Sequence, residues 1–316
     1  MKEKYKVGII GLGAIAPYYL KALNENVNCN LHYVCDIDKN KLDSFSKSGI
    51  SITTEMDILL QSNTVDIVII NLPNDLHYKA CQRALLCGKH VCCEKPLTIS
   101  SAEAEILSKT AQDNNAVLFT AFHRRYNSNL LANFTPGTKQ IKKIVIRYFE
   151  KIEDHCFNNA WYLDPRKCGG GVIADNGPNA MDLLRYFFKD IVIDSVIFDC
   201  CEKNTDYKAL INAHSDENNI AASIELDWQY PNGECKDIII QYADGSDCYI
   251  DLLVNYGEFK SSLYHEYVGV LEDFFTKIEH RDFIDSNGIE SVKLIEDIYQ
   301  KSLRINGLKF NEQIYN

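Results

Sequence analysis

The stretch Tyr5-Lys6-Val7-Gly8-Ile9-Ile10-Gly11-Leu12-Gly13-Ala14-Ile15-Ala16 decides the fold of the first third of the chain. Its first half is a short apolar run stopped by a glycine, which reads as a buried strand. Its second half fits G-x-G-x-x-G/A and opens a segment of helical spacing, Ala14–Leu23. Gly11 allows the tight turn, Gly13 lets a pyrophosphate approach the backbone, and the small Ala16 permits close helix–strand packing. Leu12, Ala14 and Ile15 complete the loop. The helix start offers free N–H groups and a positive dipole end to phosphate oxygens. A second strand, Leu31–Cys35, follows, and Asp36 stands at its end, twenty residues after Ala16. A carboxylate there accepts hydrogen bonds from ribose hydroxyls and repels a 2′-phosphate, so NAD is favoured over NADP. Ile37 occupies the place where an arginine would pair with that phosphate, with Lys39 close by.

Outward from this unit, strand and helix patterns keep alternating. Strands are expected over Val65–Asn71, His90–Cys93 and Val117–Ala121, with helices over His77–Cys87 and Ser101–Asn114. That alternation predicts an α/β fold with a doubly wound parallel sheet over residues 1–122. The pattern then changes. Extended segments are expected over Ile141–Glu150, Val192–Cys200, Ile220–Trp228, Cys235–Tyr242 and Cys248–Val254, the last two joined by an Asp244-Gly245 hairpin signal. Helices follow over Tyr264–Ile278 and Ile289–Leu303. The order predicts a second, α+β domain over residues 123–316, a mostly antiparallel sheet backed by helices on one face.

Lys and Arg number 33 against 44 Asp and Glu, a net charge of −11 with no long run of either sign. Nothing in that balance supplies the basic face a nucleic-acid binder needs. No apolar stretch reaches the roughly 20 residues of a membrane helix, and the charged start, Met1 to Lys6, is no signal-peptide core. The twelve cysteines lie in predicted strands and helices, with no C-x-x-C pair. They read as buried thiols in a reducing cytoplasm, and no His/Asp/Glu spacing suggests a metal.

Glu94-Lys95-Pro96 follows the strand His90–Cys93. A lysine at the carboxyl end of a parallel strand projects into the ligand crevice. The same tripeptide also suits a surface turn with a solvated ion pair. Taken with four other stretches, the chain resembles the Gfo/Idh/MocA family of sugar and cyclitol oxidoreductases. Those stretches are Gly11–Ala16 with Asp36, Asn71-Leu72-Pro73-Asn74 with His77, Phe122-His123-Arg124-Arg125-Tyr126, and Gly169-Gly170-Gly171-Val172-Ile173-Ala174-Asp175-Asn176-Gly177; the segment Tyr267 to Phe274 fits as well. The resemblance implies a large open sheet in the second domain and hydride transfer between a substrate CH–OH and the nicotinamide. It implies that Lys95 contacts the substrate hydroxyl and the cofactor. Asn71, Leu72, Pro73 and Asn74 then line the nicotinamide side, with Glu94 and His77 nearby.

Inositol-type members of the family are similar in an Asp-x-Gly-x-His-x-x-Asp pattern whose histidine accepts the proton. Here Asp175, Gly177 and Asp182 match, and Asn179 stands in the histidine's place. An asparagine amide hydrogen-bonds a hydroxyl but does not exchange a proton near neutral pH. Three readings follow. Lys95 acts as the acid–base group itself; His123, His155, Tyr126 or Tyr162 replaces the histidine; or the chain binds NAD(H) without turnover, as a sensor or partner subunit. Asp182 reads as structural. Candidate substrate contacts are His123, Arg124, Asn158, Trp161, Tyr162, Asp175 and Asn179, with Arg124 and Arg166 suited to a phosphate or carboxylate. The expected partner is a small polyol or sugar, and the chain is expected to be a homodimer or homotetramer.

Overall fold

The structure is a computed structural model that describes residues 4–156, 160–200, 205–257 and 260–306. Up to Ala121, strand and helix alternate as the apolar spacing demands. The strands are β1 (Tyr5–Ile10), β2 (Cys29–Cys35), β3 (Ser51–Thr53), β4 (Ile67–Ile70), β5 (His90–Glu94) and β6 (Leu118–Ala121). All pair in parallel, in the order β3-β2-β1-β4-β5-β6. The chain winds outward from β1 to β3, then returns to place β4 on the other side of β1. The crevice of such a sheet lies beyond the ends of β1 and β4. Val7, Ile9, Val68, Ile69 and Ile70 are fully buried, as strands covered on both faces require. The first helix runs over Ala16–Glu25, two residues later than the spacing suggests. Pro17 stands in its first turn, where a missing N–H breaks no bond.

The described chain divides into two compact units, and the first, residues 1–123, also includes Leu263–Ile289. The helix expected at Tyr264–Ile278 spans Leu263–His280 and belongs to this unit rather than behind the second sheet. Its buried face is Tyr267, Val270, Leu271 and Phe274, an i, i+3, i+4, i+7 stripe. That stripe meets aromatic partners in the first unit: Tyr267 packs edge-on to Tyr19 at 4.5 Å and Phe274 lies 5.5 Å from Phe119. Aromatic pairs add directional energy to area burial, and they set where this helix packs. The hydroxyl of Thr120 also donates to the Asp285 carboxylate.

The second unit, residues 124–262 with 290–316, holds β7 (Ile141–Lys151), β8 (Val192–Cys200), β9 (Asp206–Ser215), β10 (Ile220–Asp227), β11 (Gln229–Tyr242) and β12 (Asp247–Asp251). Their order is β12-β11-β7-β10-β9-β8, with β7 and β10 parallel and every other pair antiparallel. The Asp244-Gly245 turn joins β11 to β12 as expected, closed by a bond from the Tyr242 N–H to the Ser246 carbonyl. β9 was not anticipated. Two of its inward residues, Ala209 and Ala213, are small, and Asp, Lys and Asn interrupt it. Pairing on both sides overrides that weak local preference. Ile144, Ile146, Tyr148, Met181, Leu183 and Ile298 belong to one buried cluster of this unit.

Asp206 organises the glycine-rich segment. Its fully buried carboxylate accepts hydrogen bonds from the N–H of Gly171 (2.9 Å), the N–H of Ile173 (2.7 Å) and the hydroxyl of Tyr299 (3.0 Å). It thereby satisfies the free donors at the start of the short helix Val172–Asp175, which ends on Asp175. Burial raises the Asp206 carboxyl above its ordinary range, and these donors pull against that shift. A Cβ on Gly171 would overlap the backbone carbonyl oxygen of Asp206. Gly171→Ala is therefore expected to cost about 1–3 kcal/mol of stability, seen as a lower urea midpoint. An unchanged midpoint would show that β9 can move aside.

Candidate active site

Parallel strands bring the first unit's candidate residues to one edge. Gly11 follows β1, Asp36 follows β2, Asn71 follows β4, and Glu94 ends β5 with Lys95 next. Ile10 pairs with Ile70, so the turn after β1 passes hard against the end of β4. Gly11 has φ +92°, and a Cβ there would lie 2.5 Å from the Asn71 carbonyl oxygen. Both polar atoms of the Asn71 side-chain amide are buried and unpartnered. Beyond the Cα of Gly13 the space is open for 4 Å. Asp36 is almost buried. Its carboxylate accepts the N–H of Leu12 at 2.7 Å and of Asp38 at 2.9 Å, with the Lys41 ammonium at 3.3 Å. The lysine beside Asp36 is thus Lys41 rather than Lys39. Ile37 is 89% exposed on the loop that follows. Leu12, Ala14 and Ile15 form the turn, and the helix begins at Ala16. An open surface above Gly13, an orphaned amide and a backbone-fixed carboxylate fit a dinucleotide.

His77 is fully buried in the helix Asn74–Leu86. Its Nε2 lies 2.8 Å from the Leu72 carbonyl oxygen and its Nδ1 lies 2.6 Å from that of Pro96. Burial lowers its proton affinity, and the two carbonyls oppose that. A neutral ring has one N–H, so it donates to one carbonyl at a time. His77 ties the Leu72-Pro73 loop to the segment after Lys95. Glu94 is buried, and its Oε1 accepts the hydroxyls of Tyr19 at 3.0 Å and Tyr267 at 2.7 Å. Burial pushes its carboxyl above the usual range against those hydroxyls and the charge of Lys95. Lys95, half-buried, places a cation at the end of β5, suited to stabilising a developing alkoxide. His123 is buried, with Nδ1 2.5 Å from Glu266 Oε2 and its ring stacked 5.5 Å from Tyr267.

The second unit carries the other candidates. Asp175 and Asn179 are 5% and 3% exposed, one at the end of Val172–Asp175 and the other in the helix Gly177–Phe187. The Asn179 amide donates to the Tyr148 hydroxyl oxygen at 3.3 Å, while its Oδ1 is buried and unpartnered. Asn176 Nδ2 is likewise buried and unpartnered. Arg124 donates from Nε to the same Tyr148 oxygen at 3.3 Å and from Nη1 to Ser262 at 3.1 Å. Arg125 forks onto Asp182, so Asp182 is structural. Arg166 is 83% exposed and bonds Asp164. Trp161 and Tyr162 stack with ring centroids 3.8 Å apart, partly packed on the core. Asn158 lies outside the described residues, as does the side chain of His155. Sequence reasoning missed Tyr148. Its signal was the inward register of β7, Ile144, Ile146, Tyr148, where one aromatic carries a polar tip.

Residues 5–122 match the family described as "Oxidoreductase family, NAD-binding Rossmann fold" (GFO_IDH_MocA). The chain is 31% identical over 198 residues to glucose-6-phosphate 3-dehydrogenase of Bacillus subtilis, covering 60% of this chain and 56% of that relative. It spans little more than half the length of several curated relatives it matches. Among solved structures, GenD2 from gentamicin A biosynthesis in complex with NAD superposes with a TM-score of 0.81 at 18% identity, covering 98% of this chain and 96% of that one. Myo-inositol 2-dehydrogenase from Lactobacillus plantarum superposes with a TM-score of 0.80 at 17% identity, covering 95% and 97%. Likeness at that identity establishes the shared fold.

The Glu94 shift has a consequence for stability. An unfolded glutamate titrates near about 4.3. Between that value and its higher folded value, the folded chain binds more protons than the unfolded chain. Stability contributed by this group is therefore greatest at low pH and falls as pH rises through the window. Glu94→Gln keeps an oxygen for both tyrosine hydroxyls and removes the buried charge. Its stability relative to the unaltered chain is expected to be higher at about pH 7.5 than at about pH 4.5, by urea unfolding. A difference independent of pH would overturn the assignment.

Proposed function

We propose that this chain, whose residues 5–122 match the oxidoreductase family with an NAD-binding Rossmann fold, belongs to the Gfo/Idh/MocA oxidoreductases and transfers hydride between NAD(H) and a CH–OH or keto group of a sugar, sugar phosphate or cyclitol. The observation that carries this reading is the edge of the first sheet, where the glycine turn, Asp36, the orphaned Asn71 amide and Lys95 stand together. When bound, the nicotinamide accepts or supplies the hydride. The Gly11–Ala16 backbone holds the pyrophosphate, and Asp36 takes the ribose hydroxyls. Ile37 gives the adenine an apolar contact, and Asn71 supplies an amide that no protein group occupies. Lys95 stabilises negative charge on the reacting oxygen. Asp175 and Asn179 bind substrate hydroxyls, Arg124 orients them, and the stacked Trp161–Tyr162 pair offers an aromatic face to a sugar ring. His123, locked to Glu266, holds the turn it begins.

Fluorescence titration is expected to give an NADH Kd at least about tenfold below that of NADPH, a difference of about 1.4 kcal/mol. A screen of inositols, sugars and glucose 6-phosphate, followed by the absorbance of reduced nicotinamide, is expected to find turnover. Lys95→Ala is expected to lower kcat by about 10²–10³-fold while leaving the NADH Kd within about threefold. Tight NADH binding with no turnover on any of these compounds would replace this reading with that of a sensor or partner subunit.

The same reading places the chain in the cytoplasm as a homodimer or homotetramer. One face of the second sheet carries Ile197 and Tyr249, each 58% exposed, and such a face favours pairing of like surfaces. Light scattering is expected to give two or four times the mass of the 316-residue chain. A monomer at working concentrations would remove this part of the proposal.

A further inference from the structure

Two tyrosine hydroxyls meet on one carboxylate oxygen beside Lys95. Tyr267 donates to Glu94 Oε1 at 2.7 Å, and Tyr19 donates to the same atom at 3.0 Å. The helix Leu263–His280 brings one and the helix Ala16–Glu25 the other, both within the first unit. Glu94 is the last residue of β5, and Lys95 follows it directly. Packing fixes the aim of the closer hydroxyl. Between ring centroids, Tyr267 lies 4.5 Å from Tyr19, 6.0 Å from Tyr18 and 5.5 Å from His123, which is itself tied to Glu266. A ring with three aromatic neighbours keeps its polar tip in one place, and here that place is the carboxylate.

The surrounding groups keep both hydroxyls as donors. Burial raises the proton affinity of Tyr267, and Glu94, Glu266 and Cys92 add to it. Tyr19 is raised in the same way, by burial and then by Cys92, Glu94 and Tyr267. A carboxylate accepts such bonds better than a neutral acid, so both donors favour ionised Glu94 against the cost of its burial. Lys95 favours it too, through its charge and its backbone N–H. The Cys92 and Cys93 thiols of β5 are kept neutral by burial, with Asp285 and Cys81 acting in the same direction on Cys92. His77 feels the same Lys95 ammonium, but burial lowers its proton affinity, so it adds no second cation. Ionised Glu94 therefore gives Lys95 a fixed anion. A lysine ammonium rides on a flexible four-carbon stem, and a neighbouring charge decides where it rests. If Glu94 takes up a proton that hold is lost, and a misplacement of about 1 Å near reacting atoms costs on the order of 10²-fold.

We propose that Tyr267 is a positioning residue for Lys95: with Tyr19 it fixes the Glu94 carboxylate, and that carboxylate orients the Lys95 ammonium; this rests on the oxidoreductase reading above. Turnover then needs Glu94 ionised, and kcat falls as pH drops through the range in which Glu94 takes up its proton. Removing a donor that favours the ionised form makes Glu94 take up that proton at a higher pH. Tyr267, 173 residues further along the chain than Glu94, thus sets the acid limit of the reaction.

The test uses the full chain and the polyol or keto-sugar that the unaltered protein turns over. Tyr267→Phe keeps the ring and its neighbours and removes only the hydroxyl. The acid limb of its kcat profile is expected to move up by about 0.5–1 pH unit, so that kcat on that limb falls about three- to tenfold, with the NADH Kd within about threefold. Tyr19→Phe is expected to move the limb in the same direction. In Glu94→Gln the limb disappears, and adding Tyr267→Phe changes the profile no further, because the hydroxyl acts through the carboxylate. Urea unfolding gives a reading that needs no turnover. Tyr267→Phe is expected to cost more stability at about pH 7.5 than at about pH 4.5, and equally at both in the Glu94→Gln background. An acid limb that Tyr267→Phe leaves in place, an effect on the profile that persists in the Glu94→Gln background, or a stability loss independent of pH overturns the proposal while the oxidoreductase reading stands. Absence of turnover by the unaltered chain overturns both.

Discussion

Gly11 runs against the carbonyl oxygen of Asn71, and a single methyl group at position 11 would break that approach. The constraint arises from sheet topology. Two parallel strands adjacent in space but distant in sequence, β1 and β4, release their chains at the same edge. One must turn away into a helix, and only a glycine passes the other's backbone in the conformation the turn requires. From that crossing the rest follows. The helix Ala16–Glu25 begins where the turn ends, its Ala16 N–H bonded back to the Gly13 carbonyl oxygen. The amide of Asn71 is set beside the turn, and Asp36 secures the loop from the other side by taking the Leu12 N–H.

Three buried carboxylates hold the two units' internal geometry, each in a different way. Glu94 is held by two tyrosine hydroxyls, Asp206 by two backbone N–H groups and a tyrosine, and Asp182 by a forked arginine. Burial raises the proton affinity of all three. Asp182 meets a full opposite charge in its fork with Arg125, and Glu94 feels that of the adjacent Lys95. The hydrogen bonds to Glu94 and Asp206 come from neutral donors, which fix direction more than they compensate charge. Glu94 and Asp206 therefore act as geometric anchors. One sets the strand end that carries Lys95, and the other sets the short helix that carries Asp175.

Much of the first unit was legible because its information is local. Strand spacing, a glycine turn and a carboxylate twenty residues on are all written within one βαβ unit. The position of the strand-end tripeptide Glu94-Lys95-Pro96 was equally readable. What the residues concealed is non-local. β9 has a polar-interrupted spacing with alanines at two inward positions, and it is paired on both sides. The helix Leu263–His280 shows its apolar stripe plainly, but nothing in the stripe says which surface receives it. The Gly169-Gly170-Gly171 run entered only as part of a family resemblance, and its third glycine is explained by a carbonyl and a carboxylate from residue 206. Tyr148 was hidden because a tyrosine on an inward register usually signals core packing. Its hydrogen bonds to residues 124 and 179 have no trace in spacing.

The helix Leu263–His280 also gives the first unit a timetable. Its sheet is complete in sequence by Ala121, but Tyr19 and Phe119 acquire these aromatic partners, and Glu94 its second hydroxyl donor, only when residues 267–274 exist. A ribosome adding about 5–20 residues per second needs on the order of ten seconds to cover that interval. During it, the nascent dinucleotide-binding unit carries a carboxylate short of one hydroxyl donor and a bare aromatic surface. The whole second sheet is synthesised while the first unit waits for its closing piece. The two units are thus interleaved in birth order: Leu263–Ile289 closes the first, and the second gains Ile298 and Tyr299 only after that.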